Sequence, residues 1–146
     1  KIQNKAKVDE QFCFLDNPRD MITECIRKLK KNETLCCVAD RFFSPSYVGD
    51  IVRAVDELLK KNLYGCYNIA SPESFSRFEI ALLIKKKWGI ATGKVVSCSF
   101  KDLHFSDNRP LNLTLNTEKF IKATGFSFIS LEDSLNLLTS KANNSK

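Results

Sequence analysis

The chain has 146 residues, of which 43% are hydrophobic and 27% charged, a composition typical of one globular domain with a real core. It has no apolar run near the roughly 20 residues that a membrane helix needs and no visible signal peptide, so we expect a cytoplasmic protein. The formal net charge is +6, which raises the alternative of a basic nucleic-acid-binding domain. However, lysines cluster at residues 28–31, 60–61 and 85–87, each at the C-terminal end of a predicted helix, where they offset the helix dipole. This placement makes nucleic acid an unlikely partner.

The N-terminal residues predict a short lead-in and then a helix. Residues 1–10 carry no periodic pattern and are expected to be flexible, and Gln11–Leu15 is a short apolar run. Asn17–Pro18 has the residues that begin a helix, which is predicted to end near Lys31–Asn32. The apolar residues on one face of this helix are Met21, Ile22, Cys25, Ile26 and Leu29.

A strand and the most regular helix of the sequence follow. Thr34–Ala39 is apolar and short enough for a buried strand. In the helix that begins at Val48, apolar residues recur with the spacing of a single helical face. They are Val48, Ile51, Val52, Val55, Leu58 and Leu59. The charged residues between them, Asp50 among them, form the predicted solvated face.

The middle of the chain alternates strands with a helix. Gly65–Ala70 predicts a second strand, and Lys94–Phe100 a third. Between them, Ser76 and Glu79 form a capping box for a helix over Arg77–Trp88, which Gly89 ends. The side chains expected to be buried on this helix are Phe78, Ala81, Leu82 and Ile84.

The C-terminal part predicts one extended segment and two helices. Leucines at positions 111, 113 and 115 alternate with polar residues. Asn116 caps a short helix through Lys122, closed by Gly125, and Ser130 with Asp133 opens a last helix. The residues predicted to be buried on the last helix are Leu131, Leu135 and Leu138. Strands alternating with helices imply an α/β fold with a small parallel sheet and flanking helices over residues 11–140, followed by a disordered tail at 141–146.

The cysteines do not suggest a metal site. None of the six forms a CxxC pair, and His104 is the only histidine, so no metal is expected. Four of them lie in strand-like runs, where a reduced cysteine behaves as a small buried hydrophobe. These four are Cys36, Cys37, Cys66 and Cys98.

The residues alone offer no complete catalytic constellation. The five glycines form neither GxGxxG nor a P-loop, and no GxSxG motif occurs. Two loop arginines are the candidate binding groups: Arg41 follows a predicted strand, and Arg109 precedes Pro110. Guanidinium groups bind phosphates bidentately, so two arginines that converge could hold a diphosphate. The alternative is that each arginine is structural or simply exposed.

Three stretches of the chain resemble the dTDP-4-dehydrorhamnose reductases, which are extended short-chain dehydrogenases/reductases of the NAD-dependent epimerase/dehydratase superfamily. The stretches are DRFFSPSYVGDIVRAVDELL, GCYNIASPESFSRFEIALLI and RPLNLTLNTEKFIKATGF, within a likeness that runs from about Gln11 to about Leu138. The most specific part is Arg109–Asn112 together with Leu115, Asn116 and Lys119.

This resemblance implies the C-terminal, substrate-binding half of a Rossmann-like enzyme. In the family, this half forms the lid over the substrate. The residues it implies near the sugar-nucleotide cleft are Arg41, Pro45, Ser46, Tyr47 and Arg109. Two positions depart from the family pattern, because Arg41 stands where the reductases more often have Gln and Ser46 where they have Thr.

The family's cofactor-binding glycine motif and its catalytic Tyr-x-x-x-Lys belong to the N-terminal half, and neither is found in this sequence. The resemblance therefore implies the nucleotide-sugar-binding half of an NAD(P)-dependent 4-keto-sugar reductase or epimerase, with no catalytic residue of its own. NAD(P)H would be bound by a half not present here, and this chain alone is expected to be inactive.

The expected partners are a dTDP- or UDP-linked sugar and either an N-terminal Rossmann half or a partner chain. A lone half would expose apolar surface, so a homo-oligomer is also expected. The alternative function is a non-catalytic binding subunit of the same fold, similar to the regulatory β subunit of methionine adenosyltransferase.

Overall fold

The computed structural model describes residues 21–103 and 108–144, and the chain divides into two compact units. Unit 1 comprises Lys1–Arg41 and Ser76–Leu111, and unit 2 comprises Phe42–Phe75 and Asn112–Lys146. The predicted lead-in, the Gln11–Leu15 run, the start of the first helix and His104 lie outside the described residues.

The described residues contain five α-helices and four strands. In chain order they are α1 (Met21–Lys30), β1 (Thr34–Val38), β2 (Phe42–Phe43), α2 (Val48–Lys60), β3 (Phe75–Ser76), α3 (Arg77–Lys87), β4 (Lys94–Cys98), a 3₁₀ turn at Phe100–Asp102, α4 (Glu118–Thr124) and α5 (Leu131–Asn144). None of the helices in the described part of the chain is long and apolar enough to cross a membrane.

Unit 1 is built on a parallel pair of strands. β1 and β4 run side by side, with Thr34 opposite Lys94 and Val38 opposite Cys98. Helices α1 and α3 pack on β1 and on each other. The predicted α/β class and its small parallel sheet are therefore confirmed.

The core of unit 1 agrees with the sequence prediction only in part for α3, where Phe78 is half-buried and Ile80 is buried without having been predicted. The buried residues of α1, β1 and α3 are Cys25, Leu29, Leu35, Cys37, Val38, Ile80, Ala81 and Ile84. Leu82 was expected to be buried but is exposed, because it follows Ala81 by about 100° around the helix and so leaves the buried side. The Ser76–Glu79 capping box is confirmed, since each side chain binds the other residue's backbone N–H.

Burial affects the cysteines unequally. It raises the pKa of Cys25 to about 11, so this thiol stays protonated at neutral pH and packs as a small apolar group. Cys37 is buried as predicted. Cys66 is exposed, because the segment that carries it is not a buried strand.

The prediction of a strand at Gly65–Ala70 is wrong. The segment pairs with no strand among the described residues and belongs to unit 2, whereas β1 and β4 belong to unit 1. Side-chain groups hold it instead: Lys119 Nζ donates to the Cys66 carbonyl at 2.8 Å, and Asn68 Nδ2 donates to the Asn116 carbonyl at 3.0 Å.

The core of unit 2 is aromatic. Phe120 of α4 is fully buried, and its ring packs against Phe126 and Phe128 at centroid distances of 5.5 and 6.0 Å.

Leu131 and Leu135 of α5 are buried as predicted, but Leu138 is exposed. Leu138 lies on the same side of α5 as the buried Leu131, Ser134 and Leu135, so the helical spacing does not account for its exposure. Helix α5 continues to Asn144, so residues 141–144, expected in the tail, are helical.

The segment before α4 is only partly as predicted. Asn112 forms a single parallel bridge with Phe42, and Leu113 N donates to the Phe42 carbonyl at 2.8 Å. The alternating leucines remain exposed rather than forming a buried face. The side chain of Asn116 accepts from Glu118 N at the start of α4, and Gly125 ends that helix with φ of 71°.

The buried side of α2 is shifted around the helix from the predicted one, with Ile51 and Leu58 half-buried at its edge. The helix forms as expected over Val48–Lys60, but its buried residues are Asp50 and Ala54. The carboxylate of Asp50 pairs with Arg53 of the same helix and accepts from Ile129 N at 2.8 Å, which joins the Asp50 side of α2 to another segment of unit 2. Most of the predicted apolar face is consequently exposed.

Candidate functional site

The carboxyl ends of β1 and β4 meet at one edge of the unit 1 sheet. Ala39 N donates to the Cys98 carbonyl at 3.0 Å, so the strands stay paired to the point where each ends. This is the edge at which parallel α/β sheets present groups to ligands.

Asp40 joins the two strand ends. One carboxylate oxygen accepts from the Ser99 hydroxyl at 2.5 Å, and the other accepts from Phe100 N at 2.7 Å. These bonds favour the ionised form. The hydroxyl of Ser99, followed by Phe100 N, therefore holds the pKa of Asp40 below its ordinary value.

Arg41 extends from the same strand end toward the Arg109–Pro110 segment. Its Nε donates to the Pro110 carbonyl at 3.1 Å, and its guanidinium carbon lies 4.7 Å from the centroid of the Phe100 ring. These contacts hold the guanidinium plane of Arg41 beside Pro110, the residue that follows Arg109. Arg109 itself is half-buried.

The remaining candidate residues form the loop that opens α2 in unit 2. Ser46 Oγ accepts from Ser71 N at 2.8 Å and lies 3.2 Å from the Ser44 carbonyl, to which it donates. Tyr47 precedes the first turn of α2, and its carbonyl accepts from Asp50 N. The ring of Tyr47 lies directly over Gly49, since a Cβ at position 49 would be 2.3 Å from Tyr47 Cε1. The glycine thus leaves room for the tyrosine ring.

The five predicted site residues thus fall into two sets. Within unit 1, Arg41 is hydrogen-bonded to the residue that follows Arg109. Within unit 2, Pro45, Ser46 and Tyr47 are consecutive in one loop tied to Ser71. Their role in binding stays a prediction.

Sequence reasoning missed Asp40 as a positioning residue. The signal was present, because Asp40 directly follows β1 and directly precedes Arg41. What the sequence does not show is that Ser99, 59 residues later, meets this carboxylate.

The unit 1 edge suits an anion rather than a metal. Its cationic group is a guanidinium, which binds phosphate oxygens well, and its carboxylate is already engaged by two donors. In the described part of the chain, no group of three or more His, Cys, Asp or Glu side chains could hold a metal ion.

Solved structures similar to this chain are sugar-nucleotide enzymes. The dTDP-4-dehydrorhamnose reductase of Bacillus anthracis str. Ames, crystallised in complex with NADP, matches with a TM-score of 0.73 and 25% identity, over 86% of this chain and 44% of that one. A hypothetical dTDP-4-dehydrorhamnose reductase from Sulfolobus tokodaii matches with a TM-score of 0.59 and 26% identity, over 77% and 40%. An orthologous reductase from Clostridium acetobutylicum shares the fold at a TM-score of 0.69 and 22% identity, over 85% and 45%. The chain therefore spans less than half the length of these relatives.

Comparison with the curated proteins found no match. The family model described as the RmlD substrate binding domain matches residues 11–143, which is nearly the whole chain and includes both strand ends and both sets of candidate residues. The chain therefore belongs to the RmlD substrate binding domain family.

Proposed function

We propose that this chain is the nucleotide-sugar-binding half of an NAD(P)-dependent 4-keto-sugar reductase or epimerase. The observation that carries the proposal is the family match over residues 11–143, combined with an arginine fixed at the carboxyl end of a parallel strand. The ligand would be a dTDP- or UDP-linked sugar, and its diphosphate would be the group that the arginines bind.

The unit 1 edge supports a diphosphate ligand. Arg41 uses Nε for Pro110, which leaves its two Nη groups pointing away from that bond as donors for phosphate oxygens. Stacking of the guanidinium on Phe100 restricts its orientation, so less conformational entropy is lost when a ligand binds. Arg109 is the second proposed phosphate ligand, because it directly precedes the residue that Arg41 binds.

The unit 2 loop, taken by itself, carries groups of the kind that bind sugars. Ser46 supplies a hydroxyl whose position is fixed by Ser71, and Tyr47 supplies an aromatic ring fixed over Gly49. A hydroxyl and a ring are groups that bind sugars through hydrogen bonds and stacking. Pro45 stiffens the loop that presents them.

Hydride transfer is proposed to depend on a cofactor-binding half. The sequence of this chain has no glycine-rich dinucleotide motif and no Tyr-x-x-x-Lys. The chain alone is therefore expected to bind the substrate without oxidising NADPH.

The test is calorimetric titration of the purified chain with dTDP- and UDP-linked sugars. We expect binding by the wild type and at least about tenfold weaker binding by Arg109→Ala and by Arg41→Ala, since each loses charge-assisted hydrogen bonds. Arg27→Ala is the matched control, because Arg27 is an exposed arginine of α1 paired with Glu24. Like the other two variants, Arg27→Ala removes one positive charge, but it does so at a position away from the strand ends.

The results separate a specific site from general attraction of anions. Equal weakening by Arg27→Ala and Arg109→Ala would show that only the net positive charge attracts the ligand. Absence of binding by the wild type to every sugar nucleotide would contradict the proposal.

A further inference from the structure

The positive charge of the chain is concentrated in two short segments of unit 1. Residues 24–33 and 85–94 together contain eight Lys or Arg residues and two Glu, a net charge of +6, which equals the formal net charge of all 146 residues. The rest of the chain is therefore electrically balanced. The seven lysines of the two segments, which we call the lysine patch, are Lys28, Lys30, Lys31, Lys85, Lys86, Lys87 and Lys94.

The fold brings the two segments together at one end of unit 1. Helix α1 ends just before β1 begins and α3 just before β4, and these strands are parallel, so both helix ends lie at the edge where the strands begin. Hydrogen bonds join the two turns, since Thr92 Oγ1 donates to the Leu29 carbonyl at 2.8 Å and Gly93 N donates to the Asn32 side chain at 2.9 Å. The lysine patch is therefore one surface, at the edge of the sheet opposite to the one that carries Arg41.

Helix termination alone does not explain so many lysines. In unit 2, each lysine at the end of α2 or α4 pairs with a carboxylate four residues earlier. The pairs are Asp56–Lys60, Glu57–Lys61 and Glu118–Lys122. In unit 1, the residues four positions before the three lysines that end α3 are Ala81, Leu82 and Leu83. No carboxylate offsets the charges of α3 at that spacing, so their positive potential extends into solvent.

Four lysines of the patch present their ammonium groups to solvent. The exposed ones are Lys30, Lys31, Lys86 and Lys94. Two others have structural contacts, because Lys28 Nζ lies 3.7 Å from the Glu24 carboxylate and Lys85 Nζ donates to the Gly93 carbonyl. The exposed four come from both helix ends and from the start of β4. They therefore form a broad array, which suits an extended anionic surface better than a small anion.

A largely apolar depression borders the lysines at the end of α3. Its lining residues are Leu82, Lys85, Lys86, Gly89, Ile90 and Ala91. Leu82 is 43% exposed, and Trp88, the only tryptophan of the sequence, is half-buried directly before Gly89. Lysines beside exposed apolar groups match the surface of a lipid bilayer, where charged head groups lie over hydrocarbon.

We propose that the lysine patch binds the surface of a membrane rich in anionic phospholipids, with Leu82 entering the head-group region. This function is separate from sugar-nucleotide binding and does not depend on it. Nucleic acid is a poorer partner, because bidentate phosphate contacts need arginine and base stacking needs an exposed aromatic ring. Within the two segments, the one arginine is Arg27, which donates to both carboxylate oxygens of Glu24 at 2.5 and 2.7 Å, and the one aromatic residue is the half-buried Trp88.

The experiment titrates the 146-residue chain with vesicles and uses Trp88 as a reporter located in the patch. Vesicles of equal parts phosphatidylserine and phosphatidylcholine are compared with vesicles of phosphatidylcholine alone. Cosedimentation measures the affinity, and the emission wavelength of Trp88 reports whether the patch makes the contact.

Three variants separate the contributions to binding. Lys31→Gln/Lys86→Gln removes one charge from each helix end of the patch. Lys60→Gln/Lys122→Gln is the matched control, because it removes the same charge from two exposed lysines of unit 2. Leu82→Gln removes the apolar contact and leaves the charge unchanged. All the substituted side chains are exposed, so each variant should keep the Tm of the wild type, which far-UV circular dichroism checks.

We expect the wild type to bind the mixed vesicles and not the neutral ones, with Trp88 emission shifted to shorter wavelength as water leaves the patch. Lys31→Gln/Lys86→Gln should bind at least about tenfold more weakly, whereas the matched control should lose less than about twofold. Leu82→Gln should weaken binding and reduce the emission shift. Added salt should weaken binding by the wild type, because the attraction between exposed charges is screened.

Three results would overturn the proposal. The first is absence of binding to the mixed vesicles by the wild type. The second is equal weakening by the two double variants, which would mean that net charge alone attracts the vesicles. The third is tighter binding to duplex DNA than to the mixed vesicles, lost in Lys31→Gln/Lys86→Gln and unaffected by Leu82→Gln, which would assign the patch to nucleic acid.

Discussion

Helices α3 of unit 1 and α2 of unit 2 differ in how their sequence pattern relates to burial. α3 has little apolar periodicity, yet Ile80, Ala81 and Ile84 are buried against β1 and β4. α2 has the most regular apolar stripe of the chain, yet it buries Asp50 and Ala54 and exposes Val48, Val52, Val55 and Leu59. Apolar periodicity therefore identifies a surface suited to burial, but only the tertiary contacts decide whether this chain buries it.

The largest effect is expected from truncating the same side chain in the two units. Leu35 of β1 is almost fully buried, and Leu59 of α2 is 72% exposed. Leu35→Ala should lower the free energy of unfolding by about 2–5 kcal/mol, since it leaves a cavity in the core. Leu59→Ala should change it by less than about 0.5 kcal/mol. Urea unfolding of both variants measures the difference.

This pair of variants tests whether the exposed apolar side chains of α2 are uncovered in the chain alone. A loss of more than about 1 kcal/mol in Leu59→Ala would mean that the side chain is already covered in solution. A concentration-dependent unfolding midpoint would then assign the cover to self-association.

Much of the fold was predictable from local signals. The apolar face of α1, the strands β1 and β4 and the capping box of α3 depend on residues close together in sequence, and each is confirmed. The error at Gly65–Ala70 has a physical cause. A strand forms only where another strand can pair with it. This segment is held instead by the Lys119 side chain, which donates to the Cys66 carbonyl, and by its own Asn68 side chain, which donates to the Asn116 carbonyl.

A second prediction compares the two aspartates of α2. Asp50 is buried and accepts from Ile129 N, whereas Asp56 is largely exposed and pairs with Lys60. Asp50→Ala should lower the free energy of unfolding by about 2 kcal/mol, because a buried backbone N–H loses a charged acceptor. Asp56→Ala should cost less than about 0.5 kcal/mol.

Thermal or urea unfolding of the two alanine variants measures both values. Asp50→Asn should lose less stability than Asp50→Ala, because the amide oxygen of the new side chain can still accept from Ile129 N. Equal losses for the two aspartates would contradict the assignment of Asp50 as the anchor of α2.

The candidate site was predictable only in part, for a related reason. A position after a strand and the chemistry of guanidinium groups were enough to select Arg41 and Arg109. The contacts that orient Arg41 join residues far apart in sequence, such as Pro110 and Phe100. No short-range pattern encodes them, so the role of Asp40 emerges only from the structure.

The smallest expected effect concerns Asp40 and is seen as a dependence on pH. Ser99 and Phe100 N hold the folded-state pKa of Asp40 below its ordinary value of 3.8. The stabilisation from this carboxylate is therefore fully present above about pH 4 and is lost as the pH falls through the lower, folded-state pKa. Asp40→Asn should be less stable than the wild type near pH 7, and the difference should shrink below pH 4.

Urea midpoints measured between pH 7 and pH 2.5 test this expectation. Ser99→Ala is the matched variant, because it keeps the carboxylate and removes the partner with the largest effect on its pKa. It should raise the pH at which the Asp40 contribution is lost. Parallel curves for the wild type and Asp40→Asn would show that the carboxylate does not join the strand ends in its ionised form. Arg41 would then be oriented by Pro110 and Phe100 alone.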